Sequence, residues 1–455
     1  MAQAAVDEID TLVDAQRFGR FGLSLLIWSF LATFTDGYEI SALGLAVPHI
    51  VREWHVPPAQ LGTMLSASLA GMFFGAPLLG LVGDRFGRRP AIAIGCLAYG
   101  VSTLAIILAH SVGQVTVLRF VTGLGMGGVL PNVIALNSES SPKRLRARLI
   151  ILMFMGITLG GSMPGLVAAG MVPHHGWRAI FLVGGLAALV VGLAAPFALP
   201  ESVKFLRTRP DRIAELLATL ERMAPGKKLP QSLAAPIDRP IANVSIGALF
   251  TRELAPITLL LWLCFATTLM ANFFLANWLP TLFGQIGMDP QTAALTSTMY
   301  HFGATFGGLA MALMLDRIGF LAVGGLLVVA VPAMLGVGLP GMSPAALGLL
   351  VAVAGFCVLG AQFGSNAAAG LIYPTACRSR GLGLAFGVGR VGSVLGPWVG
   401  AKLIGLKLSL IVMMAAASAP VLLGAVAALA LAMVGRSRFG GWRLDEVPAA
   451  QLQME

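Results

Sequence analysis

The feature that most constrains this chain is a series of twelve apolar runs, each close to bilayer-spanning length. A helix needs about 20 mainly apolar residues to cross the hydrocarbon layer. The runs cover residues 21–46, 61–82, 90–109, 114–137, 149–171, 178–199, 255–280, 292–315, 320–339, 345–371, 382–404 and 409–434. A soluble domain carries charge on about a quarter of its residues. Here only 11% of 455 residues are charged and 57% are hydrophobic, so most of the surface must face lipid. The sequence therefore predicts an all-α membrane protein of twelve transmembrane helices. The 56 glycines agree: they weaken a helix in water but let backbones approach closely inside a membrane bundle.

Most connections between the runs are short. The exception, 201–253, is polar, basic and proline-bearing. It divides the chain into an N-terminal segment (1–20), a six-helix half (21–200), a central loop (201–253), a second six-helix half (254–435) and a C-terminal tail (436–455). Asp7, Glu8, Asp10 and Asp14 precede the first run, which is unlike a cleavable signal peptide and predicts that the run is kept. With the N-terminus inside, the inner segments hold 24 of the 30 lysines and arginines and the outer loops hold four. The positive-inside rule then places both termini and the central loop in the cytoplasm. The net charge of +10 is a topology signal and a contact to anionic lipid, with no nucleic-acid partner implied.

The chain shows no sign of an enzyme. Metal-ligand spacings, a nucleophile elbow and a phosphate loop are all missing, and the central loop is too small for a catalytic domain. Cys96, Cys264, Cys357 and Cys377 form no CxxC pair, and the first three lie in apolar runs, where they read as small buried hydrophobes. The halves repeat a turn: Gly83-Asp84-Arg85-Phe86-Gly87-Arg88-Arg89 follows the second run, and Asp316-Arg317-Ile318-Gly319 follows the eighth. Repeated halves with a site between them are a transporter architecture.

Gly80-x-x-x-Asp84-Arg85-x-Gly87-Arg88-Arg89, with twelve spans and a long middle loop, resembles the major facilitator superfamily over nearly the whole chain. The resemblance implies that Asp84, Arg85, Arg88, Arg89, Asp316 and Arg317 serve as a cytoplasmic latch between the halves. Three further segments are similar to the aromatic acid:proton symporters. They are Asp36-Gly37-Tyr38-Glu39 in the first run, Arg119 to Gly128 leading to Asn137-Ser138-Glu139 in the fourth, and Tyr373-Pro374 and Arg378 with Gly387 to Gly392 in the eleventh. That family carries D-G-x-D in its first helix. Glu39 keeps the second charge and lengthens the arm by one methylene. The resemblance implies a monomer of a bacterial inner membrane that imports an aromatic carboxylate, with a proton as coupling ion and no cofactor.

Charge inside the membrane costs about 2.5 kcal/mol or more per residue, so such residues usually mark a pathway. Of the 20 acids only Asp36 and Glu39 lie well inside a run; of the bases, Arg119 and Arg390 do. Asp36 and Glu39 are i and i+3, on one helix face. Their depth matches that of Arg119, which predicts an ion pair through one of them. Arg119 reads equally as a tie between helices or as a working charge. Arg390 lies in the half that has no membrane carboxylate, so its partner is expected to arrive with the substrate, held by the two-pronged guanidinium fork. His301 either lines the pathway or bonds to a neighbour. Gln362 and Asn366 in the tenth run, and Asn272, Asn277 and Trp278 in the seventh, are expected to line a cavity for a planar ligand. Glu139 and Arg378 are expected to gate on the cytoplasmic side. The glycine-rich stretch Gly392 to Gly400 reads as a bending point.

Two rivals stand beside proton-coupled uptake of an aromatic acid. One is a drug:proton antiporter, which the missing Gly-Pro step in the fifth run disfavours. The other is a carrier of a different organic anion or a sugar, which Leu199-Pro200-Glu201-Ser202 leaves open.

Overall fold

The computed structural model describes residues 9, 11–14, 16, 18–225, 246–252, 254–373 and 378–439. Each predicted run corresponds to one long helix, with runs 90–109, 178–199, 320–339 and 409–434 passing the helix ends by one to four residues. The twelve are α1 (Arg20–Trp54), α2 (Pro58–Phe86), α3 (Arg88–Ala105), α4 (Val112–Ser140), α5 (Lys143–His175) and α6 (Arg178–Ala198). Then follow α7 (Ala255–Gln285), α8 (Pro290–Ile318), α9 (Phe320–Val337), α10 (Pro344–Ile372), α11 (Arg378–Gly405) and α12 (Leu410–Phe439). Several outrun the apolar stretch that predicts them. The 35 residues of α1 extend about 52 Å at a rise of 1.5 Å each, against a hydrocarbon layer of about 30 Å. The extra turns carry polar groups such as Arg52 and Glu53. Among the described residues, ten of these helices are long and apolar enough to span by composition. The other two are α1, diluted by Asp36 and Glu39, and α8, diluted by Thr292 to Thr305.

The helices form two bundles with the same internal pairing. In the first, α1 packs on α5, α2 on α4, and α3 on α4 and α6; in the second, α7 packs on α11, α8 on α10, and α9 on α10 and α12. Adding six to each helix number turns one list into the other, as the repeated turn implies. The bundles meet where α2 lies on α11, α5 on α8 and α1 on α7. Glycines make the closest contacts possible. A Cβ on Gly71 or Gly75 would enter the α4 backbone at Phe120 and Leu124, and one on Gly123 would enter the α2 backbone at Ser68. Gly303, Gly307 and Gly355 do the same between α8 and α10. The outer surface is apolar: Leu81, Val190, Phe197 and Leu313 are each more than 60% exposed, which fits lipid and not water.

Two expectations change here. The 201–253 stretch is not simply loop: it holds short helices at Val203–Arg207 and Ile213–Met223. The second is amphipathic, and its Leu216, Leu220 and Met223 pack in one cluster with Ile9 and Val13 of the N-terminal segment. Spacing of four brings leucines onto one face, a signal that overall polarity obscures. Residues 226–245, the tail beyond 439, and Pro374 to Cys377 lie outside the described residues. The second change concerns Gly392 to Gly400. Helix α11 runs unbroken through Pro397. Gly392 and Gly396 lie flush against the α7 backbone at Ala266 and Met270, so their absent side chains serve packing.

Candidate functional site

One stretch of α1, Thr35 to Ser41, collects the buried polar contacts at the centre of the molecule. Asp36 and Glu39 are 1% and 0% exposed. Glu39 turns to α4, where its Oε2 accepts from Arg119 Nη1 at 3.1 Å. The other guanidinium nitrogen, Nη2, donates to the Glu39 carbonyl and to Ser68 Oγ on α2, each at 3.1 Å. Three helices of the first half are thus tied through one arginine, itself 2% exposed. The predicted acid–arginine contact forms through Glu39. Arg119 is already engaged, so it is not placed as a free ligand for substrate.

Asp36 does not share that arginine. Its Oδ1 is buried with no hydrogen-bond partner among the described residues. The charge that opposes it is Arg390, on α11 of the other half. The two are coupled through space without a direct ion pair among the described residues. No carboxylate touches the Arg390 guanidinium among the described residues, and the acid that opposes it belongs to the other half. The sequence places the two charges in different halves and says nothing of how the halves face each other. The Arg390 Nη1 touches Met72 Sδ of α2 at 3.4 Å, a soft and weak contact for a guanidinium. Beside them Thr35 and Tyr99 share a 2.6 Å hydroxyl bond.

His301 of α8 reaches across the interface: its Nε2 lies 2.8 Å from Ser41 Oγ on α1. One turn further along α8, Thr305 donates to Thr158 of α5 at 2.8 Å. Gly161 of α5 leaves room for the imidazole, since a Cβ there would stand 2.7 Å from Nδ1. In the second half, Tyr300 donates to Asn272 at 3.0 Å and Gln362 donates to Asn366 at 3.0 Å. The Gln362 Oε1 is buried without a partner among the described residues. Asn277 spends its amide on the Phe273 carbonyl.

Trp278 is a correction. It is fully buried, its indole N–H donates to the Pro397 carbonyl at 3.0 Å, and Gly400 packs against its ring. Its ring and N–H hold α7 to α11; an aromatic ring beside amides in sequence carries no information about the direction it faces. A void between the halves, bounded by Ile40, Ser68, Leu69, Met72, Phe273 and Asn277 among others, has a volume of about 10 Å³. That is room for about one water. The halves must part before anything larger enters this void.

The latch residues form a network at the Gly87 end of the bundle. Asp84 accepts from Arg88 at 2.7 Å, Arg88 lies 3.7 Å from Glu139, and Arg89 lies 3.2 Å from Glu215. The Arg85 carbonyl accepts from Arg209 at 2.5 Å. Glu139 also accepts from the Ser202 hydroxyl. At the centre sits Glu201, whose Oε1 accepts from the backbone N–H groups of Arg88 and Arg89 at 2.8 and 3.3 Å. It caps the start of α3, where exposed N–H groups favour an anion. Burial nevertheless pushes the Glu201 carboxyl above its usual range. Gly87 makes the contact possible twice over: its φ is +114°, and a Cβ would occupy the carboxylate's place.

This network lies within the first half and the segment after it. The expectation of a latch between the halves is therefore not met among the described residues. The sequence motif marks the residues but not their partners. Arg317 is exposed. The side chains of Asp316 and Arg378 lie outside the described residues. Sequence reasoning missed Ser41, Ser68 and Glu201. The serines carry no charge to mark them, and Glu201 is passed over as part of a proline-flanked segment that does not discriminate among carriers.

Two pseudo-repeated six-helix bundles, with buried charges at their meeting surface, define a transporter of the alternating-access class rather than an enzyme. The chain belongs to the major facilitator superfamily, whose family model matches residues 29–397. The chain is 35% identical to the 4-hydroxybenzoate transporter PcaK of Pseudomonas putida, over 88% of this chain and 90% of that one. It is 30% identical to the benzoate transport protein of Acinetobacter baylyi, over 92% and 91%. The xylose transporter XylE from E. coli, solved in a partially occluded inward-open conformation, superposes with a TM-score of 0.67 at 14% identity, covering 90% of this chain and 97% of that one. That last likeness speaks for the fold alone. The protein is thus a multi-pass membrane transporter.

Proposed function

We propose that the protein is a proton-coupled symporter that imports an aromatic carboxylate of the benzoate or hydroxybenzoate class. It works as a monomer in a bacterial inner membrane, with both termini and the central loop in the cytoplasm and no cofactor. The observation that carries this reading is a pair of buried charges where the halves meet: Asp36 on α1, whose Oδ1 has no hydrogen-bond partner among the described residues, and Arg390 on α11, which reaches Met72 of α2. With Asp36 ionised, Arg390 has a countercharge and little need of a ligand. Protonation of Asp36 removes it, and a substrate carboxylate then supplies two acceptor oxygens to the guanidinium fork. Proton and monoanion enter together, and the loaded centre is neutral. A carrier holding only one of them would bury an unpaired charge on closing, and that cost couples the two fluxes. Glu39 and Arg119 stay paired and keep α1 in register with α2 and α4. Gln362, Asn366 and Asn272 supply the polar edge against which a ring substituent is read. The Glu201 cap and the Asp84, Arg85, Arg88, Arg89 and Glu139 network around it hold the cytoplasmic end, with Asp316, Arg317 and Arg378 as their proposed counterparts in the second half.

The names of the relatives support the aromatic class: they transport 4-hydroxybenzoate and benzoate. The test is uptake of a panel of radiolabelled aromatic acids into proteoliposomes under an imposed pH gradient, with proton movement recorded alongside. Accumulation of a benzoate-type acid with co-directional proton flux is expected. Uptake that ignores the gradient, or efflux of cationic dyes in its place, would refute the proposal.

A further inference from the structure

A cavity lies away from the buried charges. It lies at the opposite end from Gly87, between the halves, with a volume of about 700 Å³. Its wall comes from the ends of α1, α5, α7 and α8 and from the turn before α6. Cavities of about 300–1,000 Å³ that are mainly apolar, with a few polar groups, are the usual form of a small-molecule site. Pro48, Val172, Trp177 and Pro280 give this one apolar and aromatic faces.

Four ionisable side chains line it: His49, Arg52, Glu53 and Asp289. Both acids already accept hydrogen bonds. Glu53 accepts from the Trp177 indole at 2.6 Å and from Arg178 at 3.0 Å. Asp289 caps α8, accepting from the Thr292 N–H at 2.9 Å. Arg52 makes no hydrogen bond or ion pair among the described residues. It stands one turn from His49 on the same face of α1, so a guanidinium and an imidazole are placed side by side to take an anion. The floor lies close to the central site. Leu45 is one turn along α1 from Ser41, and Ala294 is two turns along α8 from His301. The Ser41–His301 bond is thus the partition between cavity and centre.

We propose that this cavity is a second binding site, a vestibule that holds one aromatic carboxylate before it reaches Arg390. Arg52 and His49 take the carboxylate, and Trp177 with the proline faces takes the ring. The inference rests on the proposed function for the class of ligand, and on the cavity for the place. Breaking the Ser41–His301 contact, when the halves move, passes the ligand inward.

The test is equilibrium binding of radiolabelled 4-hydroxybenzoate to the full-length protein in nanodiscs, counted per chain. The wild type is expected to bind two. Arg390→Gln keeps one site, and Arg52→Gln weakens that remaining site about tenfold, as loss of a charged hydrogen bond does. Arg52→Lys, which keeps the charge, recovers most of the affinity. One site in the wild type, abolished by Arg390→Gln and indifferent to Arg52→Gln, would overturn the vestibule and leave the proposed function standing. No bound 4-hydroxybenzoate on the wild type would overturn both.

Discussion

The Glu39–Arg119 pair permits a quantitative test. The contact is 3.1 Å and neither residue is more than 2% exposed. At an effective dielectric of about 20, opposite charges at that separation attract by about 5 kcal/mol. Desolvation offsets much of this, so the pair as a whole adds little against neutral residues of equal size. Loss of one member is different. Glu39→Gln leaves a buried guanidinium facing a neutral amide, and Arg119→Gln leaves a buried carboxylate; each costs about 3–5 kcal/mol. Replacing both removes the stranded charge. The double variant Glu39→Gln/Arg119→Gln is therefore expected to recover most of that loss. The assay is thermal or denaturant unfolding of the four proteins in one lipid or detergent system, read as a double-mutant cycle. Single variants as stable as the wild type, or a double variant whose loss is the sum of the singles, would show that the pair is not the buried tie described here.

Two other outcomes follow from packing and from the Glu201 cap. Gly123→Val places a side chain in the α2 backbone at Ser68, so it should abolish folding or expression; Gly387→Ala, with nothing within 4 Å, should be silent, and membrane abundance reads both. The folded-state pKa of Glu201 is raised, so the folded protein holds that proton more tightly than the unfolded chain. Its contribution is present in full below the unfolded pKa and is lost as pH rises through the folded value. Melting curves across pH 4–8 (about four units) should show that slope, and Glu201→Gln should flatten it.

The twelve helices were legible because a bilayer demands long apolar runs, and twelve such runs leave few ways to be read. The pairing of halves was legible from one repeated turn. What sequence does not encode locally is which helix faces which. Glu39 and Arg119 lie 80 positions apart and find each other because depth could be matched along the two helices. Asp36 and Arg390 could not be matched in this way, since their meeting depends on the packing of one half against the other. Trp278 failed for the related reason that a helix has several buried faces, and only one looks into a site. Glu201 failed because its role is to receive backbone N–H groups, a contact that any sequence can offer and no motif announces.

The central claim is that Asp36 exchanges a proton for the coupling of uptake through Arg390. The direct measurement compares wild type and Asp36→Asn in proteoliposomes. It follows both counterflow exchange of a labelled benzoate-type acid and its net accumulation under a pH gradient. Asparagine imitates the protonated acid, so the account predicts that exchange survives while gradient-driven accumulation is lost. Accumulation by Asp36→Asn with the wild-type dependence on pH would contradict it.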